Sequence, residues 1–250
     1  MALDSPTFID VAGRRIAVRA RVHVVTGAPT IVFLPGYASD MMGAKALALD
    51  ALAEARGCAM VRFDYSGTGE SPGDFAEGTL DRWTEDATGV IDAVAPWGRL
   101  IVCGSSMGGW IALHVALQRR DRVAALVGIA AAPDFTDWGF STDDKATIAR
   151  DGVLIRPSAY GDPMRTFLPF WESGVAMRLL DAPIDVTIPV RLIHGDADPD
   201  VPPAIAHRLV AALRSADVQL TLVKGGGHRL SAPHELAAIT GCVGQLLVNL

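Results

Sequence analysis

Cysteine, clustered basic residues and long apolar runs are all scarce in this 250-residue chain. Its three cysteines, at positions 58, 103 and 242, are far apart and form no Cys-x-x-Cys pair. That excludes a disulfide framework and a cysteine-based zinc site, and it fits a reducing compartment. Cys58 and Cys103 sit in apolar runs and read as buried, inert thiols. Basic residues are scattered, with Arg14-Arg15 and Arg119-Arg120 the closest pairs, and the formal charge is −6. No basic face of the kind that binds nucleic acid is present. The most continuous apolar run, 123–132, is too short to span a bilayer and stops at Pro133. The N-terminus has an early acid and proline and no apolar h-region, so no signal or transit peptide is read there. The expectation is a soluble, cytoplasmic protein without an integral membrane segment.

What is present is an alternation of two periodicities. Residues 8–11 and 15–22 read as an opening hairpin around Gly13, its second strand alternating apolar and polar side chains. Short Val/Ile/Leu-rich runs follow at 30–34, 58–63, 100–103, 123–129, 190–193 and 218–223. Buried parallel strands have this composition. Between them lie helical stretches at 44–56, 79–95, 106–120, 203–213 and 233–248, the first closed by Gly57. Such alternation predicts an α/β fold as one domain over 1–250: a mostly parallel, eight-stranded sheet with helices on both faces. Chemistry in such sheets gathers at the carboxyl ends of the strands.

The stretch from Pro133 to Pro189 breaks the rhythm. No strand is evident in it. A helix capped by Ser141 and a second one near 163–180 are expected, forming a small lid inserted at about 133–188. Phe167, Phe170, Trp171 and Met177 on the second piece are candidates to line an acyl pocket, or equally to form the lid's own core.

Gly104-Ser105-Ser106-Met107-Gly108 fits Gly-x-Ser-x-Gly, with an apolar strand before it and a helical run after it. The spacing lets a serine occupy a sharp strand-to-helix turn with glycines two residues away on either side. Only Ser106 has both. The turn lifts the hydroxyl into the cleft and aims helix N-terminal N–H groups at a developing oxyanion. Met107 N–H is therefore one candidate donor. Tyr37 N–H, in the loop after the strand ending at Leu34, is the other, and Gly36 allows close approach.

A serine hydroxyl needs a base. Among six histidines, His23 falls in the opening strand, His114 within a helix, His194 at a strand end, and His207 and His234 on late helices. His228 follows the last strand by one lysine and three glycines, where the order serine, acid, histidine places the base. The acid must lie in the loop after 192–194, where Asp196, Asp198 and Asp200 all share parity. Spacing leaves the three open. The glycine-rich 64–71 turn lacks Gly-Lys-Ser/Thr and a third dinucleotide glycine, so it reads as structural.

Leu34-Pro35-Gly36-Tyr37, Arg62-Phe63-Asp64-Tyr65-Ser66-Gly67-Thr68-Gly69, the 104–110 segment and Leu192-Ile193-His194-Gly195 with Asp198 and Val201-Pro202 together resemble the α/β-hydrolases. More closely, they are similar to the group around the animal mitochondrial palmitoyl-protein thioesterase and mycophenolic acid acyl-glucuronide esterase. The resemblance runs from about residue 30 onward. It implies Asp198 as the acid and supports His228, which Arg229 follows. The lid and the organelle presequence depart from that pattern, so neither acyl specificity nor targeting is carried over. The resulting expectation is a serine esterase or thioesterase, of the ester-bond hydrolase class, acting on a small-molecule or acylated substrate. No metal or cofactor is expected, and the oligomeric state is not readable. The rivals are a peptidase or lactonase on the same residues, and a non-catalytic binding protein of the same fold.

Overall fold

The computed structural model describes residues 5–22, 27–158 and 161–250. The chain opens with an antiparallel hairpin, β1 (Thr7–Val11) and β2 (Arg14–Arg21). Ala12 and Gly13 both take positive φ at its tip, the geometry that matches a two-residue turn to the strand twist. β2 pairs antiparallel with β4 (Met60–Phe63). From there the sheet is parallel through β3 (Thr30–Leu34), β5 (Leu100–Ser105), β6 (Val123–Ile129), β9 (Val190–Gly195) and β10 (Val218–Val223). The eight strands lie in the order β1-β2-β4-β3-β5-β6-β9-β10.

Alternation along the central strands splits the core in two. Val32 and Leu34 of β3 and Leu100 and Val102 of β5 face α2 (Leu80–Val94), α3 (Met107–Gln118) and α7 (Pro203–Ala212). Ile31, Phe33, Ile101 and Cys103 face α1 (Ala44–Arg56) and α8 (Pro233–Asn249). Both faces are covered, which is why these strands read as continuous apolar runs. Gly57 closes α1 in the left-handed conformation, as its position predicted. Cys58 and Cys103 are buried, and burial pushes both thiols up.

The glycine-rich 64–71 segment is a structural knot. The buried Asp64 carboxylate accepts from Met41 N–H at 2.7 Å and Glu70 N–H at 2.8 Å. A Cβ at Gly69 would sit 2.2 Å from Asp64 Oδ2, so only glycine lets the turn wrap the carboxylate. The bond to Met41 fixes the far end of the loop that leaves β3.

The insertion between β6 and β9 corrects the expectation of a purely helical lid. It carries α4 (Phe135–Trp138), α5 (Thr142–Asp151), an antiparallel pair β7 (Val153–Arg156) and β8 (Met164–Phe167), and α6 (Leu168–Ala176). Met164 and Phe167 therefore lie on a strand. The helix expected near 163–180 starts only at Leu168, because Pro169 is tolerated in a first turn and not in a helix interior. Ser141 caps α5 as expected, in a reciprocal box with Asp144. The buried Asp134 carboxylate, at the start of the insertion, accepts from Leu179 and Leu180 N–H near its end. One side chain thus ties the two ends of the insertion together.

Candidate active site

Ser106 stands between β5 and α3 with φ 54° and ψ −119°, a strained backbone for a residue with a side chain. The turn is sharp enough to bring neighbouring backbone into the space a side chain would need. A Cβ at Gly104 would meet Gly108 O at 2.1 Å, and one at Gly108 would meet Leu34 O at 2.1 Å. A Cβ at Gly109 would come within 2.6 Å of Ala131 Cβ. The glycines are therefore steric requirements. The Ser106 backbone is held on both sides, its N–H donating to Ile129 O at 2.9 Å and its carbonyl accepting from Ala132 N–H at 3.1 Å.

His228 reaches Ser106 from the loop after β10. Its Nε2 lies 3.0 Å from Ser106 Oγ, and its Nδ1 lies 2.9 Å from Asp198 Oδ2. With Nδ1–H donating to the carboxylate, Nε2 is left as the acceptor facing the serine hydroxyl. Asp198 is buried. Its Oδ1 accepts from the N–H groups of Asp200 and Val201, each at 2.9 Å. Burial pushes the Asp198 carboxyl up. The hydrogen bond and charge of His228, with the two backbone donors, outweigh that and hold it below the usual carboxylate range.

The other two aspartates have different work. Asp196 accepts from Gly225 N–H at 2.6 Å and pairs with Lys224 at 2.9 Å, so it braces the histidine loop from outside. Asp200 is exposed and offers its N–H to Asp198. Among the described residues no other histidine is bonded to Ser106, although His194 Nε2 lies 3.4 Å from Asp198 Oδ2. His194 is buried, with Nε2 2.9 Å from Val201 O. His114 Nε2 lies 3.0 Å from Met177 O, and burial pushes its pKa down. His207 and His234 are exposed, and His23 lies outside the described residues.

The loop carrying Tyr37 passes directly over the elbow. A Cβ at Gly36 would stand 3.3 Å from Ser105 O and 3.4 Å from Ser106 Cβ. Tyr37 is the next residue along this loop. Met107 opens α3, where N–H groups have no carbonyl a turn earlier within the helix. The Tyr37 side chain, unassigned by sequence, joins this loop to the lid. Its ring packs on Phe75, Trp83, Phe135 and Phe170, and its hydroxyl donates to Arg165 O of β8 at 2.7 Å.

Of the four lid residues singled out in the sequence, two are committed to packing. Phe170 is 1% exposed and belongs to the main core. Trp171 packs on the lid's own cluster of Phe140, Ile148 and Leu154, and its Nε1–H donates to Thr136 O. Phe167 stands beside Phe75, with ring centroids 6.3 Å apart. Met177 is half-buried, and its carbonyl accepts from Trp110 Nε1–H at 3.3 Å. Sequence reasoning missed a small apolar cluster of Ala132, Val201 and Ile205, flanked by Phe135, Trp138 and Leu180. It adjoins the site through Ala132, bonded to Ser106 O, and Val201, bonded to Asp198.

Among the described residues, Asp198, Asp200 and His228 form a grouping with metal-ligand types within reach of one another. Both Asp198 oxygens and both His228 ring nitrogens already have partners, so the set is better suited to moving a proton than to holding an ion. No helix among the described residues is long and apolar enough to cross a membrane.

Comparison with known proteins agrees with this architecture. Residues 28–141 match the family described as serine aminopeptidase, S33. The mitochondrial palmitoyl-protein thioesterase ABHD10 of Mus musculus is 37% identical over 227 residues, covering 89% of this chain and 76% of the relative. A crystal structure of a putative hydrolase from Agrobacterium vitis S4 superposes with a TM-score of 0.92 at 38% identity, covering 97% of this chain and 98% of the other. The α/β hydrolase domain-containing protein 10 from mouse gives 0.91 at 34% identity, covering 98% and 99%. Fold, elbow geometry and sequence likeness over most of its length place this chain in the α/β-hydrolase family.

Proposed function

We propose that the chain is a serine esterase or thioesterase that works through an acyl-serine intermediate. The observation that carries this is the continuous relay from Ser106 Oγ through His228 to the buried Asp198, at 3.0 and 2.9 Å. In this reading His228 Nε2 takes the Ser106 proton as Oγ attacks the acyl carbonyl carbon. Charge accumulates on the carbonyl oxygen, and the N–H groups of Met107 and Tyr37 stabilise it. Asp198 stabilises the imidazolium. His228 then gives the proton to the departing alkoxide or thiolate, leaving the acyl group esterified to Ser106. A water, deprotonated by His228, attacks that ester; as the acid leaves, His228 returns the proton to Ser106 Oγ and the serine is regenerated.

An acylated substrate is favoured by the likeness to a thioesterase over 89% of the chain. The shorter likeness to a family described as serine aminopeptidase favours a peptidase as the second reading. The test compares acyl thioesters, matched oxygen esters and aminoacyl anilides on the native protein and on Ser106→Ala. Turnover of the first two, lost with Ser106→Ala, is expected. Anilide turnover alone would support the peptidase, and ester turnover surviving in Ser106→Ala would refute both.

A further inference from the structure

The histidine loop raises a question of rigidity. His228 follows Gly225-Gly226-Gly227, and glycine is the backbone with the most freedom to lose. The near side of the loop is braced. Asp196 holds Lys224 and Gly225 N–H, and Gly226 O accepts from Ala197 N–H at 3.0 Å. A Cβ at Gly195 would come within 2.1 Å of Gly226 O, so the two loops are in backbone contact there. Further on, Leu230 is 1% exposed, with φ 44°, and plugs the core under α1 and α8. Between these anchors lies the short stretch of His228 and Arg229.

Lys45 meets it. Its Nζ donates to Arg229 O at 2.5 Å from the first turn of α1. That is an unfavourable place for a cation, because the helix N-terminus carries partial positive charge and no acid stands in this first turn to offset it. Burial, with the neighbouring Arg229 charge, lowers its pKa to about 8 against the opposing pull of Glu235. A flexible lysine accepts such a place only where its head group gains a fixed partner. The partner is the Arg229 carbonyl, one peptide beyond that of His228.

We propose that Lys45 is a positioning residue for His228, holding the Arg229 carbonyl so that the imidazole stays within reach of Ser106. This rests on the assignment of Ser106 and His228 above. Nothing in the proposal has Lys45 touch the substrate, so the loss it predicts falls on the chemical step and not on binding.

The test measures kcat and KM on p-nitrophenyl butyrate, and the rate of Ser106 labelling by a fluorophosphonate, in Lys45→Met and Lys45→Arg. Methionine keeps the apolar stem and removes the donor; arginine keeps a donor. In Lys45→Met, kcat and the labelling rate should both fall by about ten- to a hundredfold, the scale that misplacement of a catalytic group produces. KM should stay within about twofold, and Lys45→Arg should recover kcat to within about threefold of native. An unchanged kcat in Lys45→Met, a loss confined to KM, or an equal loss in Lys45→Arg overturns the proposal. Should Lys45→Met fold poorly by circular dichroism, Lys45→Gln under the same criteria decides it. Ser106→Ala is run beside them. Turnover surviving there refutes the underlying assignment, whereas a dead Ser106→Ala with a fully active Lys45→Met refutes only the role of Lys45.

Discussion

Tyr37 and Phe170 pack with ring centroids 4.6 Å apart, joining the loop over the elbow to the lid helix α6. Phe170 also meets Trp83 and Phe135, at 5.5 and 5.7 Å. It is thus a core residue that happens to reside in the lid. Phe170→Ala should lower unfolding stability by about 3–5 kcal/mol, the range for truncating a buried phenylalanine. Urea denaturation measures it. A loss below about 1 kcal/mol, together with a shifted acyl-chain optimum, would make Phe170 a pocket wall instead.

Asp198 and Asp196 separate by role. Asp198→Asn keeps the shape and loses the charge that sets the His228 tautomer, so kcat should drop on the order of a thousand- to ten-thousandfold. Asp196→Asn keeps an oxygen for Gly225 N–H and weakens only the contact with the largely exposed Lys224, so kcat should stay within about threefold. Steady-state kinetics on a short ester decides, and a larger loss in Asp196→Asn would exchange their roles.

Two glycines separate steric need from mere presence. Alanine at Gly108 would drive its methyl against Leu34 O at 2.1 Å, inside the elbow. Activity should be lost and soluble yield should fall. Alanine at Gly241, on the exposed face of α8, meets nothing within 4 Å and should stabilise the protein by about 0.5–1 kcal/mol. Thermal melts of both variants test the contrast.

Acid should loosen the lid at a particular bond. Hydrogen bonds from Ser141, then from Arg156, lower the Asp144 pKa from 3.8 to about 2. A group depressed on folding contributes stability above its unfolded pKa and loses it as pH falls through the folded one. That contribution is complete above about pH 5 and fades between about pH 4 and pH 2. Amide protection in α5 and β7, taken relative to the intrinsic exchange rate at each pH, should therefore fall over that window in the native protein. Asp144→Asn should exchange faster at neutral pH and show a flatter acid response; an identical profile would contradict the assignment.

Much of the architecture is legible in the chain because the central strands are buried on both faces and their composition says so. The elbow is legible because its glycines are steric necessities. The short lid strands are not. Val153–Arg156 and Met164–Phe167 are four residues each, with mixed exposure and no alternation to mark them. The choice among Asp196, Asp198 and Asp200 is equally hidden from spacing. It depends on which carboxylate the β9 loop turns inward, and only the likeness to a known pattern pointed to Asp198. The ring of Tyr37 and the cluster around Ala132, Val201 and Trp138 are assembled from segments distant in sequence, so no local signal marks them.

Acylation of Ser106 is the step on which the proposed function depends. Titration with a fluorophosphonate, followed by peptide mass spectrometry and residual ester turnover, reads it out. About one label per chain is expected, on the peptide containing Ser106, with turnover falling in proportion to labelling. Turnover that persists in fully labelled protein, or a label on another residue, would contradict it.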